Sequence, residues 1–140
     1  MNSLTVDNLL DYSPYARQIG MQLTEVDGEL RFSLPFHPDN IGNDQLPALH
    51  GGLIGGFMEM VAIMHLLWVR ESNTVPRTVD FSIDYLRPGL ARELHAACSV
   101  TKHGQQIANV QVSVWQESPD KPVAVARALV GRPSILLADE

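Results

Sequence analysis

Glu59 is the only carboxylate in a nineteen-residue stretch, Gly51 to Val69 (GGLIGGFMEMVAIMHLLWV), that is otherwise almost wholly apolar. An ionised carboxylate taken into apolar surroundings costs several kcal/mol unless it is paired or hydrogen-bonded. A chain that puts one at the centre of its most hydrophobic segment is therefore expected to use it, as a nucleophile or as a general base. A His50-Gly51-Gly52 triplet precedes it, and glycines at a helix start leave backbone N–H groups open to a ligand. Acid and donors together suit chemistry in which negative charge develops on an oxygen.

Both groups need a helix. The 51–69 stretch is long enough for a bilayer span by count alone, but Glu59, His65 and four glycines favour a helix buried inside a soluble fold or assembly. A helix apolar on nearly every side needs cover on every side. One sheet covers one side, so a second chain is expected to supply part of the rest.

The elements around it follow from pattern. Leu4, Leu9 and Leu10 before the Ser13-Pro14 break make a short amphipathic helical piece over one end of the core. In 20–34 (GMQLTEVDGELRFSL), Asp27-Gly28 marks a two-residue hairpin turn between two strands. Residues 35–49 (PFHPDNIGNDQLPAL) are rich in Pro, Asn, Asp and Gly and read as a loop leading into the helix. After the helix the chain alternates, with Val79, Phe81, Ile83 and Tyr85 on one face and Thr78, Asp80, Ser82 and Asp84 on the other. Arg87-Pro88-Gly89 ends that strand, and three further strands are predicted over 93–102, 106–115 and 123–132. The predicted fold is α+β, an antiparallel sheet wrapped around one long central helix. Residues 1–19 form a helical extension, 20–133 the domain and 134–140 a tail.

Composition limits the function. The chain has 140 residues with 10 Lys and Arg against 16 Asp and Glu, a net charge of -6. Its cations are scattered, which argues against nucleic acid and anionic membrane as partners. The single Cys98 cannot make an internal disulfide and reads as a small buried strand residue in a reducing compartment. The N-terminal twenty residues lack the basic and apolar regions of a secretory signal, so a cytoplasmic location is expected. His37, His95 and His103 share no ligand spacing with each other or with Glu59, and no metal site is expected.

His50-Gly51-Gly52, Glu59 and the strand 78–88 (TVDFSIDYLRP) together resemble the hotdog-fold acyl-CoA thioesterases of the phenylacetate-pathway (PaaI-like) type, over roughly Gly20 to Arg132. The resemblance implies that Glu59 attacks a thioester carbonyl or activates water, and that Gly51, at the helix N-terminus, polarises the thioester oxygen. It also implies a polar loop residue, Asn43 or Gln45, and a hydroxyl at Thr78 that holds the water. His50 belongs to the same site, where capping or orienting the loop suits it better than acting as a base. Gly52, Phe57 and Met58 are candidates for lining the substrate, although Phe57 and Met58 would serve a plain core as well. No cofactor is implied, coenzyme A being part of the substrate.

Physical chemistry fits those roles. A helix start offers unpartnered N–H groups and a favourable dipole to a developing oxyanion. Glycine costs about 1 kcal/mol relative to alanine inside a helix, so Gly55 and Gly56 also need a reason, and close packing of another helix is the plainer one. Gly51 and Glu59 lie eight residues apart, roughly 12 Å along a helix, too far for one carbonyl to touch both in one copy. A homodimer pairing Gly51 of one subunit with Glu59 of the next is therefore expected, with dimers pairing further into a homotetramer. Two glutamines, Gln105 and Gln106, stand where cations for coenzyme A phosphates would be looked for, leaving Arg87, Arg127 or Arg132. A hotdog hydratase or dehydratase, hinted at by His37-Pro38, and a non-catalytic acyl-thioester-binding module are the competing functions.

Overall fold

Two short helices open the chain. Thr5 caps α1 (Val6–Leu10), its hydroxyl accepting from the Asn8 N–H at 3.1 Å. Ser13 caps α2 (Pro14–Ile19), accepting from the Ala16 N–H at 3.4 Å, and Pro14 sits in the first turn where no N–H is needed. Gly20, at φ 84°, ends α2 in the left-handed conformation that glycine tolerates. Leu9 and Ala16 are fully buried, so the predicted helical cover is present as two pieces hinged at Ser13-Pro14. The computed structural model describes residues 5–35, 41–43, 46–49, 51–70, 76–103 and 107–131.

Strands β1 (Gln22–Val26) and β2 (Glu29–Leu34) form the hairpin predicted at Asp27-Gly28, whose φ values of 55° and 83° are both left-handed. The segment read as a loop differs: Ile41–Asn43 (β3) and Leu46–Leu49 (β4) pair as a two-stranded antiparallel ribbon. Helix α3 then runs unbroken from Gly51 to Arg70. Strands β5 (Arg77–Tyr85), β6 (Leu94–His103), β7 (Ile107–Trp115) and β8 (Pro122–Gly131) complete the domain.

Six strands make one antiparallel sheet in the order β1-β2-β6-β7-β8-β5. Its inner face is apolar at every second residue, with Val110, Val112 and Val114 of β7 and Ala124, Ala126, Ala128 and Val130 of β8 buried against α3. The alanines of β8 leave room for the helix to approach its strands closely. Phe57, Met58, Val61, Met64, Leu66 and Leu67 fill the helix side of that core. A sheet wrapped on one long helix is the hotdog fold. By length and composition α3 would also pass for a membrane span, but here it packs on β2, β5, β6, β7 and β8.

Cys98 lies on the inner face opposite Val112, and burial pushes its thiol up to about 12, so it is inert as a nucleophile. Ser82, Asp84, Ser99, Gln111, Ser113 and Arg127 line a depression of about 650 Å³ on the sheet's outer face, across the sheet from α3.

Candidate active site

Among the described residues, no charged side chain is fully buried. Glu59 is half-buried in the single chain, less enclosed than its apolar sequence neighbours suggest. Its surroundings follow from helical periodicity, since Gly52, Gly55, Gly56 and Glu59 share one face of α3. That face is the least covered side of the helix near its start. Gly51 and Gly52 are exposed, and a Cβ at Gly52 would meet nothing within 4 Å. Among the described residues Glu59 has neither hydrogen-bond nor ion-pair partner, so its carboxylate is free to act on a ligand.

Two tyrosines flank the stripe. On one side Tyr15 of α2 lies against Gly56, where a Cβ would clash with the tyrosine ring and hydroxyl. On the other side Tyr85, at the end of β5, lies against Gly51 and Gly55, with a Cβ at Gly55 coming 3.4 Å from its hydroxyl. Gly56 thus makes room for a helix, as the sequence suggests, but Gly55 makes room for a strand. Gly51 faces Tyr85 alone, and Gly55 faces both Tyr85 and Ile83. Helix and strand therefore run in opposite directions here.

Thr78 is where the alternation read from sequence fails. Thr78 pairs with Val130 and Asp80 with Leu129, leaving Val79 as an extra residue in the strand. This β-bulge shifts the side-chain phase. Thr78 joins Phe81, Ile83 and Tyr85, which lie opposite the buried Ala128, Ala126 and Ala124, on the helix side. Val79 goes to the outside and is 42% exposed. The Thr78 Oγ1 is buried with no hydrogen-bond partner, and an orphaned buried hydroxyl is an uncommon feature that calls for a ligand or water to explain it.

The remaining candidates divide. Phe57 and Met58 are fully buried members of the core. Asn43 is in β3, opposite Leu46 and Ala48. His50, Gln45, Gln105, Gln106 and Arg132 lie outside the described residues. Arg87 and Arg127 are exposed, Arg127 on the outer face of the sheet. His65 is half-buried on α3, and burial lowers its pKa against the opposing pull of Glu29. No cluster of His, Cys, Asp and Glu that could hold a metal occurs among the described residues. Tyr85 was not singled out by sequence; a hydroxyl-bearing ring on the otherwise apolar face of a strand was the available signal.

Comparison with known proteins adds to this geometry. The family model of the thioesterase superfamily matches residues 46–123, from β4 to the start of β8. The chain is 25% identical over 120 residues to the medium/long-chain acyl-CoA thioesterase YigI of Escherichia coli K12, covering 76% of this chain and 77% of YigI. A crystal structure of a Chromobacterium violaceum protein is 47% identical, with a TM-score of 0.73 over 93% of this chain and 90% of that one. A Bacillus halodurans protein crystallised with CoA has the same fold at 22% identity, with a TM-score of 0.69 over 90% of this chain and 83% of that one.

Proposed function

The chain belongs to the thioesterase superfamily, and from that membership we propose that it hydrolyses acyl-CoA, in the manner of the PaaI-like thioesterases, to a free acid and coenzyme A. The observation that carries the proposal is the unpartnered Glu59 on an open stripe of α3, eight residues past a glycine helix start. In this reading Glu59 takes a proton from water as the water oxygen bonds to the thioester carbon. The carbonyl oxygen becomes an oxyanion held by the Gly51 N–H, and the C–S bond then breaks with the proton passing to sulfur. The orphaned Thr78 hydroxyl supports this general-base route over direct attack by the carboxylate, because it offers a hydrogen bond to the water. His50 and the polar residues Asn43 or Gln45 orient the entrance, and Gly52 leaves room for the thioester, while Phe57 and Met58, fully buried, belong to the core that holds α3 rather than to the acyl-chain site.

The working unit in this proposal is a homodimer in the cytoplasm. Strand β5 is an edge strand of nine residues, and an uncovered edge is a template for a second strand. The edge lies beside the open stripe of α3, so a single two-fold interface covers both. It would also bring Gly51 of one copy towards Glu59 of the other. YigI, by its name, acts on medium- and long-chain acyl-CoA, and those chain lengths are the substrates to try first.

A panel of aryl-, short-, medium- and long-chain acyl-CoA substrates assayed for free thiol tests the proposal. Thiol release that disappears in Glu59→Gln supports hydrolysis. Hydration of an enoyl-CoA without thiol release would replace the proposal with a hydratase, and CoA-thioester binding with neither reaction would replace it with a binding module.

A further inference from the structure

Tyr85 touches the helix start from the end of β5. Its hydroxyl donates to the Gly51 carbonyl at 2.6 Å, its ring lies over Gly51, where an added Cβ would come 3.6 Å from it, and its hydroxyl lies over Gly55, where an added Cβ would come 3.4 Å from the oxygen. The first six residues of α3 are Gly51-Gly52-Leu53-Ile54-Gly55-Gly56, a weak helix former that loses about 1 kcal/mol at each glycine relative to alanine. Left alone, such a turn frays, and its N–H groups cease to point at one place. Donors stabilise an oxyanion efficiently only when they are already aimed at it.

Tyr85 itself is held firmly. It pairs with Ala124 of β8, and the next two N–H groups, of Leu86 and Arg87, both donate to the Val123 carbonyl at 2.8 Å and 3.2 Å. The tyrosine thus ties a glycine-rich turn to the rigid sheet.

We infer that Tyr85 is a positioning residue for thioester hydrolysis: its hydroxyl, by holding the Gly51 carbonyl, keeps the Gly51 N–H directed at the oxyanion. The bond anchors the Gly51–Gly52 peptide plane and so keeps Gly51 within the helical turn; the Gly51 N–H, across the Cα and without an acceptor within the helix, then keeps the direction that an unfrayed turn gives it. Tyr85 is 50% exposed, so the bond adds little to folding, and its value lies in geometry. This inference rests on the hydrolase reading and on Gly51 as oxyanion donor.

Tyr85→Phe keeps the ring over Gly51 and removes only the hydroxyl. The expected result is a kcat about tenfold lower with KM within about twofold, the pattern of an interaction made in the transition state, and a melting temperature within about 3 °C of wild type. A double-mutant cycle with Gly51→Pro sharpens the test. Proline suits the first helical position and lacks the N–H in question, so in that background Tyr85→Phe should have almost no further effect on kcat. An unchanged kcat in Tyr85→Phe, a loss confined to KM, or fully additive losses in the cycle would each overturn the positioning role while leaving the hydrolase intact. Absence of thiol release from the wild-type protein on every acyl-CoA would instead overturn the hydrolase reading, and this inference with it.

Discussion

Thr78 stands directly opposite Val130 because Val79 is an extra residue in strand β5. The bulge puts the threonine hydroxyl on the helix side of the sheet, buried and without a partner. A buried hydroxyl with nothing to bond costs about 1–3 kcal/mol, and a fold keeps such a group where a ligand or water uses it. Thr78→Val is therefore expected to raise stability by about 1 kcal/mol in urea unfolding while lowering kcat for thioester hydrolysis about tenfold. A variant that is less stable and fully active would remove Thr78 from the site.

The contact between Tyr15 and Gly56 makes a prediction about folding alone. Alanine normally stabilises a helix interior relative to glycine by about 1 kcal/mol, but here its Cβ would run into the Tyr15 ring and hydroxyl. Gly56→Ala is expected to cost about 1–2 kcal/mol in the wild-type background and to be stabilising by about 1 kcal/mol when Tyr15 is also alanine. Chemical denaturation of the four proteins of the cycle measures this sign change.

His65 gives stability a pH dependence. Burial lowers its folded-state pKa, with Glu29 pulling weakly the other way, so between that value and the ordinary value of 6.5 the unfolded chain binds more protons than the folded one. Its contribution is fully present above pH 6.5 and is lost as pH falls through the folded pKa. Unfolding free energies measured across mildly acidic pH should fall for wild type, and His65→Gln should flatten that part of the slope. An identical slope in the variant would assign the loss to other groups.

A shared site makes a prediction that a site within one chain cannot. Gly51→Pro chains retain Glu59, and Glu59→Gln chains retain the Gly51 N–H, so a mixed dimer holds one complete site and one site lacking both groups. With random exchange, an equal mixture should recover about a quarter of wild-type activity per chain although each parent is nearly inactive. Mixed dimers demonstrably formed, by mass spectrometry for example, but without activity would place each site inside one subunit.

Much of this molecule is legible in its sequence, and the gaps have physical causes. Local chemistry decides the Asp27-Gly28 turn, since two consecutive left-handed residues suit that pair, and the composition of 51–69 decides the central helix. The bulge at Val79 leaves no local trace: Thr78-Val79-Asp80-Phe81 continues a regular alternation, and only the register of β5 against β8 breaks it. Alternation alone therefore puts Thr78 on the outer face, whereas the register shift puts it on the inner one; the resemblance of its motif points to the residue itself. The β3–β4 ribbon hides in a Pro- and Asn-rich stretch because its pairing is made by backbone groups. Glu59 stands out in the sequence by contrast with its neighbours, but how open its side of the helix is depends on Tyr15, which precedes α3, and Tyr85, which follows it, and their meeting at the helix is set by tertiary packing.

Steady-state thiol release by Glu59→Gln, alongside its thermal unfolding, tests the central claim most directly. If Glu59 is the base or nucleophile, kcat/KM should fall about a thousandfold with the melting temperature unchanged or higher, because the carboxylate has no partner to lose. A Glu59→Gln protein that retains activity within a few-fold of wild type, or one that loses activity only because it unfolds, would contradict it.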